Sequence, residues 1–563
     1  MRDGRLRATP AVGSSSERGS PGSATAGTAV LDPAHLGDID GALGSISRYD
    51  CAPRRSWPAR LQTLLAVMGP GLVVMVADND AGGIASYAQA GQDYGTRLLW
   101  VLLLLLPVLV VNQEMVCRLG AVSGVGHARL ILERFGRFWG AFSVADLFLL
   151  NALTLITEFI GVTLALAYFG VGKAISVPAA AVLLVAVTAT GSFRRWERVM
   201  YVLIGVNLLA IPLALWVRPA PGLLVRNVLA PTVPGGRNGA VLLLVIALAG
   251  TTIAPWQLFF QQASVVDKRI TPRWLGYERA DTVIGAVVLA VVGAALLVVV
   301  ATGFAGTPLA GRFSDAGAVA QGLGRVVGPW AGALFALVLL EGSLLGAIAV
   351  TLATAYTLGD VTRARHSLHH RPRQAPLFYS AYVALVALAA AIVVLPDVPL
   401  GLITVGVQAL AGVLLPSAAV FLLLLCNDYE VLGPWANRPW LNVVASVTVG
   451  LLVVVSLAFT ATTLFPDLSR SALGAGLAGA TAVGLVVAVC GLRREAAART
   501  SVRVLAQITT GVDRASWRTP PLSELRPPHW SPARKLALLL LRGYVLVAAL
   551  LVVVKVVQLA LAR

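Results

Sequence analysis

The chain has 563 residues, of which 57% are hydrophobic and 13% charged, and its mean hydropathy is +0.80. That composition excludes a string of soluble domains and points to a protein embedded in a bilayer. The formal net charge of +17 lies mostly in short segments between apolar runs. No basic groove with interleaved aromatics is present, so nucleic acid is not an expected partner.

Residues 1–60 are rich in Gly, Ser, Arg and Pro and lack helical periodicity, which predicts a disordered cytoplasmic tail. No short apolar core of a signal peptide precedes the first long apolar run. At about 20 apolar residues per crossing, spans are predicted at 61–92, 98–117, 139–169, 175–191, 199–217, 240–266, 282–304, 330–358, 377–395, 401–426, 440–464, 472–492 and 536–561. The organisation expected is a transporter core over 61–426, with halves at 61–217 and 240–426, and peripheral helices over 440–492. A cytoplasmic linker over 493–535 and an extra transmembrane helix over 536–563 complete it. Four widely spaced cysteines, Cys51, Cys117, Cys426 and Cys490, form neither a disulfide framework nor a Cys-x-x-Cys metal site.

Two spans carry breaks. In the first, Asp78-Asn79-Asp80-Ala81-Gly82-Gly83 sets two acids beside a glycine pair. Acids at membrane depth are functional candidates, and paired glycines unwind a helix easily. In the sixth, Gly250-Thr251-Thr252-Ile253-Ala254-Pro255-Trp256 interrupts the apolar run 240–266. Unwound backbone at that depth must line a cavity or be buried in protein, and a matched pair of broken helices marks a midplane substrate site. Arg and Lys favour the loops that face inward if the N-terminus is cytoplasmic, so the broken spans run in opposite directions, as an inverted five-plus-five repeat requires. The fold class expected is an all-α polytopic membrane protein of the LeuT-like type, with broken helices 1 and 6 and extra C-terminal helices.

Several motifs in order carry a family resemblance: Gly69-Pro70-Gly71, Asp80, Gln89-Ala90-Gly91, Tyr94-Gly95 and Leu98-Leu99-Trp100, then Glu158-Phe159-Ile160-Gly161, Arg279-Ala280-Asp281, and Gln408 with Pro416. Over roughly residues 61–492 the chain resembles the NRAMP divalent-metal transporters. The family's Asp-Pro-Gly-Asn appears here as Asp80-Ala81-Gly82-Gly83, and its Met-Pro-His as Ala254-Pro255-Trp256. Its second helix-six histidine aligns with Gln261, and an acid expected in span three is Leu155. These departures resemble the NRAMP-related magnesium transporters.

A thioether favours softer metals, whereas carboxylate, carbonyl and water suit Mg²⁺ or Mn²⁺. Ala254 removes the soft donor, and the loss of bulk at Ala254 and Gly83 leaves room for the waters that Mg²⁺ keeps, with Gly82 a further candidate along the ion path. The resemblance therefore implies Asp80 as the charged ligand of a largely hydrated cation. Backbone carbonyls near Ala77 and Thr251, with the side chain of Gln408, would complete the shell. Asp78 reads either as a further carboxylate of the site or as a structural partner. Pro255, Trp256, Gln261 and Glu158 are candidates for the ion path, with packing of Trp256 and cross-helix bonding of Glu158 as the plainer readings. Glu341 reads as structural, and Glu114 with Arg118, one turn apart, as an ion pair.

All 6 histidines lie outside the predicted spans, and with Leu155 in place of an acid the family's proton route looks dismantled. His366, His369 and His370, among four arginines, read as a solvated basic loop rather than a metal sensor. The expected function is uncoupled import of Mg²⁺, with Mn²⁺ as a second candidate, through the cell membrane. The alternatives are proton-coupled Mn²⁺/Fe²⁺ uptake, an organic-solute symporter and a membrane sensor or receptor. An enzyme is not expected, and neither is a cofactor beyond the transported cation. The lipid bilayer is the other partner, and the chain is expected to be monomeric or weakly oligomeric.

Overall fold

A computed structural model describes residues 27–234, 239–395, 417–464 and 513–526, with a few single positions between and beyond them. Residues 1–26, most of 396–416, and nearly all of 465–512 and 527–563 lie outside the described residues. With them go most of the predicted tenth span, the spans at 472–492 and 536–561, the greater part of the 493–535 linker, and Gln408.

The disordered tail expected through residue 60 is corrected for residues 27–60. Asp32 caps a short 3-10 turn, Pro33–His35, and a hairpin follows, β1 (Ile39–Gly41) with β2 (Gly44–Ile46), Ile39 facing Ile46. So short and polar a segment cannot fold alone. Its order comes from docking onto helix ends: Ala42 N–H donates to Glu197 at 2.5 Å, Arg269 Nε to the Ala34 carbonyl at 2.8 Å, and the His366 N–H to Asp32 at 2.9 Å.

The first span is α1 (Trp57–Val67), α2 (Pro70–Val76) and α3 (Ala81–Tyr94). Ser56 caps α1 and a 56° bend separates it from α2. The bend falls at Gly69, whose φ of 150° suits only glycine. Pro70 then opens α2. The carboxylate of Asp281 accepts the backbone N–H groups of Gly69, Gly71 and Leu72 at 3.0, 2.7 and 3.2 Å. An acid more than two hundred residues downstream thereby caps α2.

The chain continues with α4 (Leu99–Ser123), α5 (His127–Phe135), α6 (Arg137–Tyr168), α7 (Lys173–Thr188), α8 (Phe193–Asn207), α9 (Ala210–Trp216) and α10 (Pro221–Leu229). Next come α11 (Gly239–Thr252) and α12 (Pro255–Asp267), each too short to cross a bilayer alone. Proline at the first position of α12 drives Ala254 to an extended conformation, φ −95° and ψ 145°, and so fixes the break. Then come α13 (Leu275–Gly303), α14 (Ala316–Val326), α15 (Pro329–Thr362), α16 (Pro376–Val394), α17 (Ser417–Cys426), α18 (Tyr429–Leu432) and α19 (Pro439–Leu464).

Among the described residues, six helical stretches are long and apolar enough to cross a membrane, or up to eight with each bent pair as one span. Large apolar side chains such as Leu104, Val182, Val202, Trp216 and Leu388 are exposed on their outer faces, as lipid contact requires. The protein is an all-α polytopic membrane protein. At its centre α15 packs on α6, and α13 on α2 and α3. Close approach depends on glycine: a Cβ at Gly342 would come within 2.2 Å of the Asn79 carbonyl oxygen, and one at Gly346 within 2.8 Å of Asp80 Cβ.

Candidate metal site

Residues 77–80 form the unwound turn between α2 and α3. Asp80 is the N-cap of α3, extended at φ −76° and ψ −177°, and its Oδ1 accepts the Gly83 N–H at 2.7 Å. A Cβ at Gly83 would lie 2.6 Å from the Asp78 carbonyl oxygen, so the glycine lets the chain fold back this tightly. Three sequence features thus cooperate: an acid that caps well, a glycine that admits the turn, and apolar flanks that bury it. Last-turn carbonyls of α2 and α11, including those of Ala77 and Thr251, have no following helical N–H to bond. The N-termini of α3 and α12 begin on the other side of the two breaks.

Four acids are buried in this zone: Asp78, Asp80, Glu158 and Glu341 are 0, 4, 0 and 2% exposed. Both carboxylate oxygens of Asp78 lack a hydrogen-bond partner, with Gln257 beside them. One oxygen of Glu158 accepts the Ala81 N–H at 3.1 Å, its side chain touches Asp80, and Oε1 is unpartnered. Among the described residues, no Lys or Arg forms an ion pair with any of the four; the ion pairs of Arg118, Arg134, Lys268 and Arg279 go to Glu114, Asp428 and Glu197 instead. The Glu114–Arg118 pair expected from sequence is present at 3.2 Å and shares Glu114 with Arg279 at 2.6 Å.

Tyr87 and Gln257, neither of which sequence reasoning singled out, connect the breaks. Tyr87 is fully buried, its ring against Gly293 of α13 and its hydroxyl near Thr252 of α11 and within electrostatic range of Asp78 and Asp80. Gln257 on α12 accepts from Gln113 at 3.1 Å. A signal for Tyr87 existed, since it follows Gly83 by four residues and lies on the same helical face. Thr251 and Thr252 turn their hydroxyls back onto the Leu248 carbonyl, at 3.1 and 2.7 Å.

Other candidates sit elsewhere. Gln261 donates to Thr282 on α13 at 2.9 Å, and its Oε1 is buried without a hydrogen-bond partner. Trp256 is 1% exposed and packs 6.3 Å from Phe260, itself against Trp196, which is the packing reading. Gly82 and Pro255 are buried in the first turns of α3 and α12, and Ala254 is the capping residue before Pro255. The histidine loop is not a solvated basic loop. His366 is 2% exposed and sits 3.1 Å from Asp360, while His370 reaches Asp32 at 3.1 Å and His369 the Asp267 carbonyl at 3.1 Å. The N-terminal segment covers these residues, which local composition does not reveal.

Among the described residues, no three His, Cys, Asp or Glu side chains converge as a metal cage. One or two acids, with carbonyls from two helix breaks, are what the turn offers to a cation.

The profile of the family described as natural resistance-associated macrophage protein-like (Nramp) matches residues 71–462. The chain is 26% identical over 408 residues to a divalent metal cation transporter MntH of Burkholderia ambifaria, covering 70% of this chain and 88% of the relative. To an MntH of Chromohalobacter salexigens it is 27% identical over 431 residues, covering 73% and 95%. A crystal structure of a manganese transporter from Eremococcus coleocola superposes with a TM-score of 0.58 at 21% identity, covering 82% of this chain and 99% of that one. With a family match across most of the chain and a shared fold, the chain belongs to the Nramp family.

Proposed function

We propose that this protein is a divalent metal cation transporter of the cell membrane, its N-terminus cytoplasmic, that imports Mg²⁺ as a largely hydrated ion, with Mn²⁺ as a second substrate and without proton coupling. Metal transport is supported by the names of the MntH relatives. The observation that carries the reading is that Asp78, Asp80 and Glu158 are buried together and, among the described residues, no Lys or Arg pairs with them. In a low-dielectric interior such charges call for a cation. Ala254 supplies no sulfur, so the donors are oxygen, which suits hard ions. Asp80 would hold the ion through the oxygen not used in capping α3, carbonyls at Ala77 and Thr251 would face it, and retained waters would fill the rest. An inside-negative potential favours import of a doubly charged ion by about 4.6 kcal/mol per 100 mV.

A second reading, proton-coupled Mn²⁺ uptake, draws on the Asp80–Glu158 contact, because two carboxyls in contact can hold one proton between them. Proteoliposomes loaded with a pH-sensitive dye and offered Mg²⁺, Mn²⁺ and Cd²⁺ separate the two. The proposal expects potential-driven Mg²⁺ uptake, weak Cd²⁺ competition and no acidification of the lumen; metal-driven acidification sinks the uncoupled reading.

A further inference from the structure

Glu341 has no place in the mechanism above, yet it is a carboxylate 2% exposed in the middle of an apolar helix. One oxygen accepts the Asn207 Nδ2–H at 2.7 Å, and Asn207 Oδ1 in turn accepts from Asn79 Nδ2 at 3.1 Å. Asn207 is the last residue of α8, so the chain of contacts joins α15, α8 and the unwound turn. Both asparagines are fully buried. The turn itself is weakly held: its own backbone offers Asp78 N–H to Met75 at 3.2 Å and Asn79 N–H to Val76 at 3.0 Å, contacts of three residues rather than four. Gly342 lets α15 lie directly against the Asn79 carbonyl.

The polarity of the chain is fixed by its middle member. Asn207 accepts through its oxygen from Asn79 and donates through its nitrogen, so position 341 is the acceptor, a role that a carboxyl oxygen fills. Burying an acid at this depth is costly, and the geometry shows what that acid is bonded to. From this we infer that Glu341 is a positioning residue for the cation, anchoring the turn of residues 77–80 through Asn207 and Asn79 and so fixing where Asp80 points. The inference rests on Asp80 being the cation ligand. Groups that orient metal ligands from behind commonly set affinity by 10- to 100-fold.

The test uses the full-length protein in proteoliposomes, with Mg²⁺ and Mn²⁺ as probes. Glu341→Leu and Asn207→Leu are each expected to raise KM about tenfold with Vmax within about twofold. The double variant should be no worse than either single, because one chain is broken in each. Glu341→Gln, which can still accept from Asn207, should restore KM to within about threefold of the parent. Amide exchange of the 77–83 peptide should quicken in both Leu variants and stay slow in Glu341→Gln. Parental KM and exchange in the Leu variants, additive single effects, or a Gln variant as impaired as Leu overturns the inference. If Asp80→Asn takes up metal like the parent, the ligand assignment fails, while the exchange measurement still decides whether the anchor exists.

Discussion

Acids at the N-terminal face and acids at the helix breaks are buried to similar depth but treated differently. At the face, Asp281 accepts three backbone N–H groups, Glu197 meets Lys268 at 2.6 Å, and Asp267 accepts from Tyr356 at 2.5 Å and the Leu368 N–H at 2.9 Å. Glu278 is the exception there, unpartnered but within range of Lys268. At the breaks, Asp78 and Glu158 keep bare oxygens, and among the described residues no basic side chain pairs with them. The first group stabilises the fold through its own partners. On the proposed reading, the second group is completed by a charge that comes from outside.

If that contrast is real, removing a partner at the face costs stability and removing an acid at the breaks costs transport. Lys268→Met leaves Glu197 buried and unpaired, both side chains being at most 1% exposed, and is expected to destabilise by about 3–5 kcal/mol, read from thermal melting in detergent. Asp80→Asn should do the reverse: asparagine caps α3 equally well, so melting should move by less than about 0.5 kcal/mol, while Mg²⁺ uptake falls about 100-fold, roughly 2.7 kcal/mol. A large loss of stability in Asp80→Asn, with uptake intact, would erase the distinction. Asp32→Asn, which keeps an acceptor but loses the charge facing His370, should weaken docking of residues 27–46 by about 1 kcal/mol, seen as faster proteolysis of that segment.

The smallest effect is with pH. Burial alone would lower His366, but the Asp360 carboxylate, its hydrogen bonds and Asp32 lift it to about 9, so its contribution is full below 6.5 and fades as pH rises through 9. Burial, helped by the charge of His366, lowers His35 from 6.5 to about 4, so its contribution is present above 6.5 and fades as pH falls toward 4. Burial would raise Asp32, but His370, His35 and two backbone N–H groups hold it well below the usual carboxylate range, so it drops out only in strong acid. Protection of residues 27–46 from protease should therefore be greatest near pH 6.5 and decline on both sides, toward 9 as His366 loses its proton and toward 4 as His35 gains one. A flat profile would count against the histidines as the docking contacts.

The breaks were legible because glycine pairs and proline leave marks in an apolar run wherever they fall. Asp80 and Pro255 were visible for that reason, and so was the Glu114–Arg118 pair, whose four-residue spacing is a helical turn. Contacts across long separations were not. Nothing local links Asn207 to Glu341, 134 residues apart, or tells that Gln261 faces Thr282. The histidine loop misled because its arginines suggested solvent, while the residues that bury it stand more than three hundred positions upstream, at Asp32.

The cap that Asp281 places on α2 also supplies a clock. The amide hydrogens of Gly69, Gly71 and Leu72 are held by one carboxylate from α13, so they exchange readily with solvent deuterium only when that carboxylate lets go. Their exchange rate would then count how often α2 and α13 come apart at this point.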